Sequence, residues 1–201
     1  IDYSDGCTGR MGLEKKGIIS IYMEDTITVE GAFYTVSYEN LTMGQREISK
    51  TATYTNEGNN VISFESFSTT SFEKDGEAFT IVREFTGTRE WIAGFDTPEA
   101  TDDIFMLSRN GSITVNDELK FEKTTIEALL IDRSCRYPLS GIVEITRADE
   151  TMSIDYGAGE CDNIAHVTKD GVTEEIELNS GQFRKGFQRK NKNMKQNKGW
   201  W

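Results

Sequence analysis

The feature that most constrains this chain is a hydrophobic pattern of period two that runs through nearly its whole length. In one of the longer examples, Tyr34, Val36 and Tyr38 alternate with Thr35 and Ser37. Such alternation places apolar side chains on one face of a β-strand, whereas an amphipathic helix needs spacings of three and four residues. We therefore predict an all-β fold.

Turn sequences separate the alternating segments and set the expected strand boundaries. Asp75-Gly76 and Asp170-Gly171 are pairs of residues that accept a positive φ, as tight hairpin turns require. Tight turns between consecutive strands make an antiparallel meander, and here they predict about 13 strands. A long meander must curl, so we expect a curled sheet, a sandwich or a partly open barrel. The predicted strands are 17–23, 26–40, 45–55, 61–67, 70–74, 77–91, 104–108, 112–115, 119–133, 141–147, 151–156, 164–169 and 172–178.

Three stretches depend on local signals. Asn110-Gly111 is a strong hairpin dipeptide, and it divides 104–108 from 112–115 in this prediction. Residues 125–131 have the composition of a short helix, although their neighbours favour a strand. Residues 93–103 contain a proline and three aspartates, and we expect an irregular loop there.

Charge and hydropathy define the domain organisation and exclude some partners. Residues 1–180 are expected to form a single all-β domain. Residues 181–201 are expected to form a disordered, basic tail, with attachment to an anionic surface as the alternative role. The net charge of −12 argues against nucleic acid as a partner. No apolar run reaches the length of a transmembrane helix, so we expect a chain that does not span a membrane.

A short phrase occurs near both ends of the domain, within segments 1–23 and 154–178. Ile-Asp-Tyr opens both copies, and the cysteines Cys7 and Cys161 are each followed by a glycine at the same interval (17 − 7 = 10 and 171 − 161 = 10). We expect the two copies to occupy equivalent positions, with Gly17 and Gly171 opening equivalent turns. The first copy starts at Ile1, so we also expect an N-terminal segment upstream.

The three cysteines favour one disulfide. Cys135 and Cys161 are 26 positions apart (161 − 135), and a disulfide between them would close a loop worth roughly 3 kcal/mol. Cys7 would then pair with a cysteine upstream of Ile1, and three buried free thiols remain the alternative. A thiol nucleophile would need Cys161 to meet His166, the only histidine. A disulfide implies an extracytoplasmic location.

Several phrases resemble an uncharacterised family of exported, lipoprotein-like proteins of Bacteroidota. Its members carry a DYGDGTCDN phrase near the C-terminus and an FGxGCT phrase near the N-terminus. The resemblance covers residues 1 to about 180, and it implies a signal or a lipid-anchoring cysteine upstream. The sequence departs from it at Ala158 and Glu160 and in the basic tail. The matching phrases are 89–98, 102–105, 135–141, 154–157 and 161–163.

Candidate chemistry is sparse, and each candidate has a structural alternative. Acids near the glycine turns (Asp2, Asp5, Asp155, Glu160 and Asp162) could hold Ca²⁺ or could simply cap turns. Acids of the middle loop (Asp96, Glu99, Asp102 and Asp103) could form the carboxylate pair of a glycosidase. Arg83 and Arg89, beside Phe85 and Trp91, could bind carbohydrate or anions by stacking, or could pack across strands against acidic neighbours.

No catalytic residue, cofactor site or metal site emerges from these patterns. We therefore expect a non-catalytic binding or scaffold protein of the periplasm or the cell surface. Its partner would be an envelope protein, a glycan or a lipid, and a lipid anchor upstream of Ile1 is a further expectation. Two alternatives remain: a glycan hydrolase that uses loop carboxylates, and a carrier for a lipid-like ligand inside a closed, apolar barrel.

Overall fold

A computed structural model describes residues 1–9, 12–148 and 150–178, and the predicted tail lies outside these residues. All regular structure in the described residues is β-strand, arranged as one antiparallel sheet in the order β1 to β12. The strands are β1 (Cys7–Thr8), β2 (Glu14–Met23), β3 (Phe33–Met43), β4 (Arg46–Gly58), β5 (Val61–Lys74), β6 (Glu77–Ala93), β7 (Ile104–Val115), β8 (Glu118–Asp132), β9 (Ser140–Arg147), β10 (Glu150–Ala158), β11 (Ile164–Lys169) and β12 (Val172–Glu177).

The predicted all-β meander is confirmed. Each strand pairs only with its neighbours in sequence, and β1 does not pair with β12 in the described part of the chain. The sheet is therefore not closed into a barrel. The described residues contain no helix that is long and apolar enough to span a membrane.

Two-residue turns fix how neighbouring strands align. Asn59-Asn60, Asp75-Gly76, Asn116-Asp117 and Asp170-Gly171 all have positive φ at both positions. This geometry follows the natural twist of antiparallel strands, which is why Asn, Asp and Gly occupy these positions. The turns set the register of β4–β5, β5–β6, β7–β8 and β11–β12, and a slip of one residue would move every side chain to the other face.

Two predicted strand breaks are wrong, because β5 and β7 are continuous. The Asn110-Gly111 hairpin does not form: both residues lie inside β7, opposite Thr86 and Phe85 of β6. A Cβ atom at Gly111 would lie 2.4 Å from Cδ1 of Phe85. The same Cβ atom would lie 2.0 Å from the carbonyl oxygen of Glu84, so close packing against β6, and no turn of the chain, explains the glycine.

Three other local predictions need correction. Residues 125–131 belong to β8, so the helical alternative is wrong. The strand predicted from Thr26 begins at Phe33, because the preceding residues form turns. Gly17 opens no turn: it lies inside β2 at a register shift, where a Cβ atom would be 2.4 Å from the carbonyl oxygen of Asn40. Gly171, by contrast, lies in the β11–β12 turn, so the two glycines are not equivalent.

The buried side chains lie on one face of the sheet, which we call the inner face. The largest ones that are almost fully buried are Val143 and Ile154, which are register partners on β9 and β10. Side chains of residues paired across neighbouring strands point to the same side of the sheet. The pairing therefore identifies the inner face on every strand from β3 to β11. Its other buried apolar strand residues are Leu41, Ala52, Ile62, Phe85, Phe105, Leu129, Met152 and Ala165.

A buried asparagine attaches the loop before β3 to the sheet. The side-chain amide of Asn56 donates to the carbonyl of Ile27 at 2.8 Å, and its Oδ1 accepts from the backbone N–H of Gly58 at 2.8 Å. Its backbone N–H and C=O bond to Ala32 and Gly31. The bonds to Ile27, Gly31 and Ala32 fasten this loop to β4 and hold Ile27 at the edge of the inner face.

The geometry of Cys135 and Cys161 is compatible with a disulfide. Their Cα atoms are 5.8 Å apart, within the usual range for a disulfide, and the cysteines precede β9 and β11. Cys7 is exposed and is not part of a disulfide in the described residues.

A single substitution can test whether the position beneath the Phe64 ring must be a glycine. Gly87→Ala would place a Cβ atom 2.1 Å from the carbonyl oxygen of Ser108 and 2.7 Å from Cζ of Phe64. We expect a loss of about 1–3 kcal/mol in the free energy of unfolding, measured by urea denaturation. Thr88→Ala, on the exposed face of the same strand, is the control and should change stability by less than about 0.5 kcal/mol. Equal stability of both variants would contradict the packing described.

Candidate functional site

The inner face of β3 to β7 contains a cleft of about 610 Å³. This volume lies within the usual range of small-ligand pockets, roughly 300–1,000 Å³. The loop between β2 and β3 and the loop between β6 and β7 form its rims. The residues that line it are Ile27, Thr28, Tyr34, Lys50, Tyr54, Ile62, Phe64, Ser66, Phe85, Arg89, Trp91, Gly94, Phe95, Thr97, Pro98, Ala100, Asp103, Leu107 and Arg109.

The cleft has a flat floor because two aromatic rings lie over glycines. Phe64 covers Gly87, its partner across β5 and β6, and Phe85 covers Gly111, its partner across β6 and β7. A side chain at either glycine would meet both a backbone carbonyl of the neighbouring strand and the ring. Small residues such as Ser66, opposite Phe85, leave space beside them.

Aromatic side chains also form the two walls. On one side, the rings of Tyr34 and Tyr54 stack at 4.6 Å between centroids with an angle of 11° between their planes. On the other side, the ring centroid of Trp91 lies 5.6 Å from those of both Phe95 and Phe105. These contacts hold flat apolar surfaces at the sides of an open cleft.

Two arginines project into the cleft and stack on its aromatic rings. The Cζ atom of Arg109 lies 3.8 Å from the ring centroid of Phe85. The Cζ atom of Arg89 lies 4.9 Å from the ring centroid of Trp91 and 4.5 Å from that of Phe105. In the described residues, neither arginine has a carboxylate within 4.0 Å, and the buried Nε of Arg109 has no hydrogen-bond partner.

Charge is divided between the two faces of β3 to β7. Alternation puts Lys50, Arg83, Arg89 and Arg109 on the inner face with the cleft. Acidic residues of these strands lie on the outer face, apart from Glu77 at the β5–β6 turn. The expected packing of Arg83 and Arg89 against acidic cross-strand neighbours is therefore wrong. The outer-face acids are Glu39, Glu47, Glu57, Glu65, Glu73, Glu84 and Glu90.

Burial disfavours the charged forms of Arg89 and Arg109. It lowers the pKa of Arg89, an effect that Arg133 reinforces and that Tyr34, Tyr54 and Asp103 oppose. Burial likewise lowers the pKa of Arg109, with Tyr54 opposing it. An arginine stays protonated in a protein, so both guanidinium groups remain charged in the unbound cleft, and the ring contacts offset part of the cost of removing them from water.

The four acids predicted for a glycosidase pair do not all meet in the cleft. Asp103 is the one carboxylate among its lining residues within the described chain. Asp102 instead accepts hydrogen bonds from the Thr97 hydroxyl at 2.9 and 3.0 Å, which shapes the rim. Asp96 and Glu99 lie on the same exposed loop outside that lining.

Three of the acids suggested for Ca²⁺ accept hydrogen bonds from the backbone two residues later. Asp2 accepts from Ser4, Asp155 from Gly157 and Asp162 from Ile164, at 2.8 to 2.9 Å. This is the turn-capping alternative. Within the described ranges, no three His, Cys, Asp or Glu side chains converge as metal ligands would.

Sequence reasoning named Arg89, Phe85 and Trp91 but missed Arg109 and the tyrosine wall. The predicted break between 104–108 and 112–115 puts Arg109 in a turn, whereas it lies inside β7. A signal was present in the alternation itself: acids at odd positions and large or basic residues at even positions in β4 and β5 already divide charge between two faces.

Comparison with protein-family models, with curated proteins and with solved structures gives no match to this chain. The geometry of the cleft therefore carries the functional argument.

Titration of the tyrosine wall provides a test of this geometry. Burial raises the pKa of Tyr34, Tyr54 raises it further, and Arg89 opposes them. The stability that depends on a tyrosine with a raised folded-state pKa is fully present below about pH 10, the pKa of tyrosine in the unfolded chain. That stability is lost as the pH rises further. Tyr34→Phe should therefore lessen the fall in stability between pH 9 and pH 11, measured by urea denaturation. Tyr22→Phe on exposed β2 is the control, and equal slopes for both variants would refute the burial of Tyr34.

Proposed function

We propose that this protein is a non-catalytic binding module of the cell envelope, and that the inner-face cleft is its binding site. The observation that carries the proposal is a preformed cleft with aromatic walls and two arginines without carboxylate partners. A cleft of this size, apolar with a few convergent polar groups, is typical of small-ligand sites. The two loops that form its rims are held by Asn56 and Thr97, so the site is largely formed before binding.

An extracytoplasmic location is part of this proposal. Cys135 and Cys161 are compatible with a disulfide, and disulfides persist mainly in oxidising compartments. The resemblance to exported, lipoprotein-like proteins of Bacteroidota points the same way, and it adds export and a lipid anchor to the proposal. The partner would be a glycan, a lipid or another envelope component that reaches the cleft from outside.

Neither alternative function has comparable support. A glycosidase needs two carboxylates that flank the scissile bond, and Asp103 alone lines the described cleft. A lipid carrier was expected to be a closed barrel with an apolar interior, but the described sheet is open and the cleft contains Arg89 and Arg109. We therefore favour binding without turnover.

Blocking the cleft should abolish binding and leave the fold intact. Trp91 lies in the cleft, so a Trp200→Phe/Trp201→Phe background makes it a single fluorescent reporter. We expect at least one member of a panel of neutral and acidic oligosaccharides to change its emission, with no hydrolysis products. Ser66→Phe would fill the space beside Phe85 and should remove that response.

Thr51→Phe, on the exposed outer face of β4, is the matched control and should bind as the parent does. Urea denaturation of both variants checks that the fold is retained. A ligand that binds Ser66→Phe normally would place the site elsewhere. Product formation by the parent protein would replace the proposal with an enzymatic function.

A further inference from the structure

The arrangement of charge in the cleft restricts the chemical class of ligand, provided that the cleft is the binding site proposed above. Arg89 pairs with Leu107 and Arg109 pairs with Gly87, so the two arginines are diagonal neighbours on adjacent strands. Diagonal neighbours on one face are about 7–8 Å apart at the backbone. Both side chains line the same cleft, with Arg109 stacked on Phe85 and Arg89 stacked on Trp91 and Phe105, so the cleft offers two separate cationic positions.

An anion would offset the loss of solvent around either guanidinium. A guanidinium presents several N–H donors in a plane, which match the two oxygens of a carboxylate. Arg109 has a buried Nε–H group without a hydrogen-bond partner in the described residues, and no carboxylate lies within 4.0 Å of it. Asp103 lies near Arg89 and raises its pKa, so Arg109 is the stronger position for an external anion.

The rest of the lining selects what the anion is attached to. Trp91 and Tyr54 contribute aromatic rings to the lining, while Thr28 and Ser66 contribute side chains with hydroxyl groups. Aromatic faces combined with hydroxyl donors and acceptors suit a ligand ring that is apolar on its faces and polar at its edge. A sugar ring has this character.

The overall charge of the protein favours a ligand whose charges are spread over several rings. A chain with a net charge of −12 repels a strongly charged anion at a distance, even when a local patch is positive. One carboxylate on each ring meets this requirement better than a phosphate chain does. The outer face of β3 to β7 is acidic, so an anionic ligand is also directed to the inner face.

We propose that the cleft binds an acidic saccharide, with sugar carboxylates held separately at Arg109 and at Arg89 and the sugar rings against the aromatic walls.

The test measures binding of three probes to the full chain by isothermal titration calorimetry. The probes are trigalacturonate, its methyl ester and AMP. The ester keeps the rings and hydroxyl groups and loses the charges. We expect trigalacturonate to bind about 10-fold or more tightly than the ester, as loss of charge-assisted hydrogen bonds implies. Its affinity should also fall as salt concentration rises.

Variants then locate the charge recognition. Arg109→Met and Arg89→Met keep a long apolar side chain without charge, and each should weaken trigalacturonate binding by about 10-fold or more. Arg46→Met is the matched control, because Arg46 also stacks on a ring of the inner face, with its Cζ atom 5.3 Å from the ring centroid of Phe72, but lies outside the cleft. It should leave the affinity unchanged.

Each other outcome overturns the inference. Equal binding of trigalacturonate and its ester would show a neutral-sugar site, which leaves the proposed binding function standing. Tighter binding of AMP would show a nucleotide site. No binding of trigalacturonate, or binding that survives both Arg89→Met and Arg109→Met, would also reject an acidic saccharide. The comparison of acid with ester uses the unaltered protein, so it holds even if a variant fails to fold.

Discussion

Strand register is the constraint on which the rest of this structure depends. The described chain forms one sheet whose strands pair only with their sequence neighbours, so its inner face is covered mainly by side chains of adjacent strands. A two-residue turn such as Asp75-Gly76 fixes the alignment on both of its sides. A shift of one residue would exchange the aromatic, basic face for the acidic one, and the cleft would be lost with it.

The cleft depends on the same strand pairing, because it lies where large side chains are paired with glycines on the neighbouring strand. Phe64 lies over Gly87 and Phe85 lies over Gly111, which flattens both rings against the sheet. Arg109, the partner of Gly87, then stacks on Phe85 instead of meeting an acid. The pairing of large residues with glycines therefore has two results. It packs the sheet, and it leaves cationic groups available to a ligand.

The sequence was sufficient for the fold class and for most strands, but not for the site. Alternation and turn residues are local signals, and they predicted β6 and β8 to β12 closely. Asn110-Gly111 was misassigned because the partner that decides its role, Phe85, lies on another strand and can be identified only when the register is known. The same holds for Gly17, which accommodates the backbone of Asn40. Arg109 was missed for this reason too, since its environment is built by three strands.

The central claim is that Arg89 and Arg109 on the inner face contact the ligand, and that the acidic outer face does not. Nuclear magnetic resonance of the arginine side chains reports on this directly, because each Nε–H group gives its own signal. On addition of trigalacturonate, the account predicts shifts of the Arg89 and Arg109 Nε–H signals, with that of Arg46 unchanged. Shifts confined to Arg46 or to the outer-face backbone of β4 and β5, or no shift at saturating ligand, would contradict it.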